Sequence, residues 1–325
     1  MMTTRVYACQ NRDSAVRAQS SSGGIFWMLA KYVLDQQGVV CGAAFDEEWQ
    51  VAHTCAKTEE DARKFIGSKY VQSKMGSTYQ EVKGYLEQKR LVLFSGTPCQ
   101  VAGLYAYLGK RPENLYTVDL ICHGAPSRRV WREYLQEIQQ GRIIQAINFR
   151  DKTEGWLKFS LKIEFTDGSS YRKNLQEDLY MKGFLQDMYL RPSCYSCRFR
   201  GWDRDADLTL ADFWGVEYHM PELFDDQGTS LVITHSQTGE TLLQQLPQLK
   251  RKKIFPELVE KTNPSVITSV ELPQKRTIFF EKRKTNERLI HYLKRMTTDS
   301  LMVRGKRKIK NIIKKVLVKC GLWRK

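Results

Sequence analysis

Apolar residues in the first half of the chain follow helical and strand-like spacing in turn. After the turn Ser22-Gly23-Gly24, apolar residues from 25 to 34 recur with the spacing of one helix face, and Gly38 ends this predicted helix. Buried strands are predicted by three short apolar runs, at residues 39–45, 91–94 and 116–122. Because helices alternate with strands, the pattern predicts an α/β fold with a mainly parallel or mixed sheet and flanking helices.

The spacing changes after residue 143. Residues 157–165 alternate between apolar and polar positions, Asp167-Gly168 favours a tight turn, and residues 169–175 alternate again. This segment predicts an inserted β-hairpin. We expect one domain over residues 1–272 and a basic helical extension over residues 273–325.

The formal net charge of +16 is concentrated in that extension. Residues 275–325 contain 18 Lys and Arg against three acidic residues, so the rest of the chain is nearly neutral. Residues 304–325 carry ten basic residues and no acidic residue, with apolar positions on one helical face. This pattern predicts contact with an anionic membrane surface. Nucleic-acid binding is not expected, since no known reader motif accompanies the charge.

The start of the chain indicates where the protein is expected to reside. Residues 1–22 are polar and contain three arginines, and no apolar run approaches the roughly 18 residues needed to span a bilayer. We therefore expect a cytoplasmic protein that is attached peripherally to the membrane through its tail. In a reducing compartment, the eight cysteines favour metal or redox chemistry over disulfides.

Four cysteines lie where predicted strands end or turns begin. Cys99 and Cys122 each follow a strand, and Cys194 and Cys197 form a Cys-x-x-Cys pair. Four thiolates are the ligand set of a [4Fe-4S] cluster. A zinc ion with four thiolates, and four unrelated buried cysteines, are the alternatives.

The other cysteines lack paired spacing and are not expected to be ligands. Cys41 and Cys55 fall in predicted core strands, and Cys320 lies in the tail. Cys9 is the remaining one and is near the start of the chain.

Two glycine-containing segments are candidates for a cofactor site. Ser22-Gly23-Gly24 at a helix start offers backbone N–H groups to a pyrophosphate, although a simple cap is the alternative. Gly67-Ser68-Lys69-Tyr70 offers amides, a cation and a ring to a flavin, although a surface turn is the alternative.

Asp212 is a candidate for orienting the cofactor. His123 is a candidate catalytic proton relay, with a structural role as the alternative.

Several of these motifs occur in one order, and together they resemble a known family. They are Ser21-Ser22-Gly23-Gly24, Gly67-Ser68-Lys69-Tyr70-Val71-Gln72-Ser73, Gly96-Thr97-Pro98-Cys99-Gln100, Cys122-His123-Gly124-x-Pro126-Ser127, and Cys194-x-x-Cys197 followed by Asp212-Phe213-Trp214-Gly215. Over roughly residues 5–270 the chain resembles the beta subunits of coenzyme F420 hydrogenases and dehydrogenases.

The resemblance implies an oxidoreductase that binds FAD and a [4Fe-4S] cluster. Such proteins pass electrons between iron–sulfur centres and a hydride-carrying substrate, which can be a deazaflavin, and some relatives are encoded among surface-polysaccharide genes. By position, Cys99, Cys122, Cys194 and Cys197 would hold the cluster. Ser22-Gly23-Gly24 and Gly67-Ser68-Lys69-Tyr70 would line the flavin.

One departure from the family bears on partners. Many members carry an N-terminal ferredoxin-like module with extra cysteine runs, whereas this chain has only Cys9 there. We therefore expect one cluster, a separate ferredoxin-like electron donor and a small-molecule substrate. Two alternatives remain: a non-catalytic accessory protein of glycan assembly with a structural metal and a membrane-docking tail, and a zinc-containing nucleic-acid binder.

Overall fold

The computed structural model describes residues 4–284 and 286–298. Its strands are β1 (Arg5–Asn11), β2 (Val39–Phe45), β3 (Val51–Ala56), β4 (Val92–Ser95), β5 (Leu115–Leu120), β6 (Ile144–Asp151), β7 (Ser160–Phe165), β8 (Ser170–Asn174), β9 (Leu208–Asp212), β10 (Ser230–Thr234) and β11 (Leu249–Ile254). Its α-helices are α1 (Ser14–Gln19), α2 (Ile25–Asp35), α3 (Glu59–Arg63), α4 (Thr78–Glu87), α5 (Pro98–Leu108), α6 (Arg128–Gln139), α7 (Leu179–Leu185), α8 (Val216–His219), α9 (Gln237–Gln245), α10 (Pro256–Thr262), α11 (Gln274–Glu281) and α12 (Leu289–Thr297). Short 3-10 helices cover Pro192–Cys194, Pro221–Leu223 and Pro264–Val266.

A large mixed sheet forms the centre of the protein. Its strand order is β11-β1-β10-β9-β5-β4-β2-β3. The four strands β2, β4, β5 and β9 are parallel, and the strands on either side of them pair antiparallel. The predicted α/β class with flanking helices is therefore confirmed. The parallel centre matters for function, because the carboxyl ends of β4 and β5 lie at the same edge of the sheet.

The predicted hairpin is present as β7 and β8, which belong to a separate three-stranded antiparallel sheet with β6. Strand β6 is not among the predicted strands. Its buried end brings Phe149 and Arg150 towards the large sheet, where both side chains are almost fully buried.

The described part of the predicted extension packs on the core. Phe279 of α11 and Tyr292 and Leu293 of α12 are buried. The ring of Phe279 lies 5.5 Å from that of Tyr189 and 5.4 Å from that of Tyr292, measured between centroids. The basic amphipathic segment predicted over residues 304–325 lies outside the described residues.

Cys41 and Cys55 lie in strands, as predicted, but they form a disulfide. The two residues are direct partners in the antiparallel pairing of β2 and β3, with their Cα atoms 4.1 Å apart. The expectation that the cysteines do not pair is wrong for these two, because a cross-strand register cannot be recognised from spacing alone. Within the described residues, the helices are all too short or too polar to cross a bilayer.

Candidate functional site

Each of the four predicted cysteine ligands lies at a turn next to a regular element. Cys99 is in the first turn of α5, which follows β4 after Gly96 and Thr97. Cys122 follows the end of β5, the parallel neighbour of β4. Cys194 ends the short helix Pro192–Cys194, and Cys197 follows it in the same loop.

These four thiols converge around Cys122. Burial, together with the negative charges of Cys99, Cys194 and Cys197, raises the pKa of Cys122 to about 12. The pKa of Cys194 is raised by burial and then by the charges of Cys99 and Cys197. Parallel strands β4 and β5 place Cys99 and Cys122 at one edge of the sheet, and Ala125, three residues after Cys122, bonds to Cys194, so the fold brings these loops to one place. Cys99 is exposed, and the other three are partly buried.

The spacing of the thiols bears on the kind of metal centre. Among residues 4–284 and 286–298, no three His, Cys, Asp or Glu side chains are grouped tightly enough to hold one metal ion. A single zinc needs all its ligand atoms within about 2.3 Å of one point. A four-iron cube keeps its thiolates further apart, because each sulfur binds a different iron. A [4Fe-4S] cluster, unlike a single ion, does not need its thiolates to be grouped around one point.

Hydrogen-bond donors and a cation surround the thiols. The amide of Ala125 donates to Cys194 Sγ at 3.4 Å and lowers the pKa of that thiol. Thr97 Oγ1 lies 3.2 Å from Cys99 Sγ. Arg200 donates from Nη2 to the carbonyl of His123 at 2.9 Å, and its charge lowers the pKa of Cys122. The Ala125 amide and Arg200 favour thiolates, which are the metal-binding form of cysteine.

His123, the predicted relay, is held by a carboxylate. Its Nε2 lies 2.7 Å from Asp187 Oδ1, and its ring meets Phe184 edge-on with centroids 5.0 Å apart. The structure thus places this imidazole beside Cys122 with one nitrogen already paired.

A cleft of about 220 Å³ lies beside the second predicted segment. Its lining combines aromatic, aliphatic and basic side chains: Gln19, Phe45, Arg63, Ile66, Gly67, Ser68, Lys69, Ile147, Asn148 and Phe149. Apolar walls with a few polar groups are typical of cofactor sites. The ring of Tyr70 instead packs inside the protein, 5.6 Å from Phe149 and 5.2 Å from Phe184 between centroids.

Lys69 gives this cleft its electrostatic character. Its Nζ donates to the carbonyls of Ile66 at 3.2 Å and Gly67 at 3.0 Å. Burial lowers the pKa of Lys69 to about 7. Because both acceptors are neutral, an anionic group of a ligand would favour the ammonium form and bind to it.

The two predicted cofactor segments meet at their serines. Ser21 Oγ accepts hydrogen bonds from the amide of Ser68 at 2.6 Å and from its hydroxyl at 2.9 Å. In the first segment, however, polar groups are paired within the protein. Ser22 Oγ donates to the carbonyl of Thr229 at 2.9 Å, and the amide of Gly23 donates to Ser230 Oγ at the same distance.

Asp212 lies in a buried polar network that includes a residue absent from the sequence-based candidates. Arg150 donates to both carboxylate oxygens of Asp212, to the carbonyl of Ser21 at 3.0 Å and to the hydroxyl of Tyr70 at 3.1 Å. Trp156 Nε1 donates to Asp212 Oδ1 at 3.1 Å. Arg150 thus connects Asp212 to both cofactor segments. No local sequence signal marks it, since it lies in β6, which belongs to the other sheet.

Two adjacent family models match, and both describe the beta subunit of coenzyme F420 hydrogenase/dehydrogenase. The model of its N-terminal part matches residues 6–79, and the model of its C-terminal part matches residues 89–256. A search of curated proteins found no match.

Among solved structures, a chain of the F420-reducing [NiFe] hydrogenase complex from Methanosarcina barkeri, studied by xenon derivatization, has a similar fold. It superimposes with a TM-score of 0.55 at 19% sequence identity, covering 87% of this chain and 93% of that chain. This likeness supports the fold alone.

Proposed function

The chain belongs to the coenzyme F420 hydrogenase/dehydrogenase beta-subunit family of oxidoreductase subunits, and from this premise we propose a specific activity. The protein is an iron–sulfur flavoprotein that passes electrons between a [4Fe-4S] cluster, FAD and a hydride-carrying small molecule. The single observation that carries this proposal is the convergence of Cys99, Cys122, Cys194 and Cys197 from three separate loops.

In this proposal the four cysteines hold the cluster through their thiolates. The Ala125 amide donates to the Cys194 sulfur and offsets part of its negative charge. Arg200 supplies a positive charge near Cys122. Because Cys99 is exposed, electrons have a short path between the protein surface and the ligand set.

The flavin is proposed to occupy the cleft beside Gly67-Ser68-Lys69. Bound FAD supplies the conversion between single-electron and hydride transfer. Phe149 and Ile147 offer apolar walls for a planar ring, and Lys69 offers a cation for an anionic part of the cofactor. Arg150, paired with Asp212, links this cleft segment to Ser21 by bonding to the hydroxyl of Tyr70 and to the carbonyl of Ser21.

The proposed partner is a separate one-electron donor protein, such as a ferredoxin. The Cys-x-x-Cys loop exposes Arg191, Ser196 and Arg198, so a protein that meets this loop encounters positive charge. The similar chain comes from a multi-subunit hydrogenase complex, which supports the use of a protein partner. A deazaflavin is the first hydride-carrying substrate to test, and a precursor of surface polysaccharide is the second.

We propose a cytoplasmic location, with residues 304–325 contacting an anionic membrane surface. Co-sedimentation with vesicles that contain anionic lipid tests this contact. Pelleting should depend on the tail, fall with added salt and disappear with neutral vesicles. Equal pelleting of the full chain and a chain ending at residue 303 would overturn it.

The cofactor proposal is tested on protein purified without oxygen. We expect about four irons and four sulfides per chain, the stoichiometry of the cube, together with one equivalent of FAD. A colourless protein that contains a single zinc, or no metal, would reject the redox function. That outcome would favour the accessory role in glycan assembly.

The flavin site is tested separately by Lys69→Met, which keeps the length of the side chain and removes its charge. Loss of a charge-assisted contact is expected to weaken FAD binding about tenfold or more. Lys64→Met is the matched control, since Lys64 is exposed and pairs with Asp61 at the surface. Unchanged affinity in Lys69→Met would remove the flavin from this part of the cleft.

A further inference from the structure

We infer that His53, Ser73 and Gln100 are positioning residues that hold the Cys99 turn (residues 95–99) through one continuous chain of hydrogen bonds. The inference rests on the proposed function, because it assigns the chain a role in presenting Cys99 to a cluster. His53 and Ser73 bond to the turn and to Gln100 rather than to a thiol, so they act through the turn.

The chain of hydrogen bonds runs in one direction. Gln100 donates from Nε2 to Ser73 Oγ at 2.8 Å, and Ser73 Oγ lies 2.8 Å from His53 Nδ1. His53 Nε2 lies 3.0 Å from the carbonyl of Ser95. A carbonyl can only accept, so Nε2 carries the proton and Nδ1 accepts from the Ser73 hydroxyl. Each of these polar groups therefore has a partner with the correct role.

The direction of the chain requires a neutral imidazole. A protonated ring would also donate from Nδ1, and the Ser73 hydroxyl would then lose its acceptor. Burial, together with the charge of Lys69, lowers the pKa of His53 to about 4. The His53 ring also stacks on Phe94 of β4, with centroids 5.6 Å apart and planes inclined by 23°.

The chain of hydrogen bonds begins and ends at the Cys99 turn. Ser95 is the last residue of β4, and Gln100 immediately follows Cys99. Gln100 also accepts at Oε1 from the Thr97 amide at 2.8 Å and from its hydroxyl at 3.0 Å. Thr97 Oγ1 in turn lies 3.2 Å from Cys99 Sγ. The orientation of the thiol is thus connected to His53 through atoms in direct contact.

Ser73, at the middle of the chain of hydrogen bonds, connects it to the segment that lines the cleft. Ser73 lies on the segment that continues from Gly67-Ser68-Lys69-Tyr70, and its neighbour Lys74 pairs with β3 through the amide of His53 at 2.8 Å. The same network therefore fixes the Cys99 turn relative to the segment that lines the cleft. A buried chain of this kind is cooperative, and breaking one link leaves its neighbours unsatisfied.

The experiment removes the central hydroxyl with Ser73→Ala and measures iron loss from the oxidised holoprotein to a chelator. The loss of one buried hydrogen bond changes a rate or an equilibrium constant by about tenfold, so we expect iron loss to become about tenfold faster. The electron paramagnetic resonance spectrum of the reduced cluster should also change. Ser73→Thr keeps the hydroxyl and should restore both properties. Ser77→Ala is the control, since Ser77 is exposed and bonds to Glu81 outside the chain of hydrogen bonds.

A second variant and a second readout distinguish a positioning role from misfolding and from failure of the cluster proposal. His53→Phe keeps an aromatic ring on Phe94 and removes both hydrogen bonds, so it should reproduce the Ser73→Ala effects. Amide hydrogen exchange of residues 95–101 should rise in both variants, whether or not a cluster is bound. Wild-type exchange in this segment in both variants would overturn the inference. Iron-free wild-type protein would reject only the cluster proposal, and the exchange result would still decide the positioning role.

Discussion

Arg150 and Asp212 form a two-point salt bridge, with Nη1 2.8 Å from Oδ2 and Nη2 3.0 Å from Oδ1. The Arg150 side chain is 1% exposed and that of Asp212 is 17% exposed. Arg150 also bonds to Ser21 and Tyr70, so this one pair joins the antiparallel sheet to Ser21, beside the first predicted cofactor segment, and to Tyr70 of the second. A buried guanidinium needs its carboxylate, and this requirement makes the pair a sensitive point of the fold.

Asp212→Asn should therefore destabilise the protein strongly. Removing one partner leaves the buried guanidinium charge without its counter-ion, and the expected loss in the free energy of unfolding is about 3–5 kcal/mol. Asp205→Asn is the matched control, because Asp205 pairs with Arg111 at the surface and should cost at most about 1 kcal/mol. Urea unfolding of the three proteins measures the difference. Equal losses in the two variants would contradict the importance of the buried pair.

Cys122→Ala should abolish cluster binding, since Cys122 lies at the centre of the four thiols. The iron content should fall from about four per chain to well below one, because Cys122 is proposed to hold one iron of the cube and lies near the other three thiols. Cys9→Ala is the control: Cys9 is a free, buried cysteine of β1 and belongs to another core cluster. Its iron content should stay at the wild-type level. Full iron loading of Cys122→Ala would reject Cys122 as a ligand.

Gly23→Ala should destabilise the packing of the segment before α2 against β1 and β10, because an added Cβ has no room there. An added Cβ would lie 2.5 Å from the carbonyl oxygen of Cys9 and 2.9 Å from the amide nitrogen of Ser230, and neither backbone atom can move freely. We expect a loss of about 2 kcal/mol or more. Gly84→Ala in α4 meets no atom within 4 Å and should instead stabilise by about 0.5–1 kcal/mol. Thermal unfolding should thus shift in opposite directions, and shifts of the same sign would contradict this account.

Stability should fall with acid because of His53. Burial lowers the pKa of His53 from its ordinary value of 6.5 to about 4, so the unfolded state binds the proton more tightly than the folded state. The stabilisation is complete above pH 6.5 and is lost as the pH falls towards 4, a change on the order of 3 kcal/mol. His53→Phe should reduce the difference in unfolding free energy between pH 7 and pH 4.5 by roughly 2 kcal/mol.

The control for the pH measurement is His291→Phe, since His291 is exposed. This variant should retain the full wild-type pH dependence. His235, whose pKa burial also lowers to about 4, remains in every variant and contributes its own loss. An unchanged pH dependence in His53→Phe would show that His53 is already protonated, or unburied, in the folded state.

Local patterns in the sequence determined much of this protein. The helical spacing after Gly24 and the apolar runs at β2, β4 and β5 predicted elements that the structure contains. They also placed Cys99 and Cys122 after neighbouring strands. This succeeded because hydrophobic periodicity and turn residues act over a few positions and do not depend on distant parts of the chain.

Only the tertiary structure decided how distant segments meet. Arg150 reaches Asp212 across 62 residues, and Cys55 pairs with Cys41 through strand register. His53 gained its role because β3 brings it beside Ser73 and the end of β4. These contacts depend on sheet order, register and burial, and the same residue types in an exposed position would form none of them.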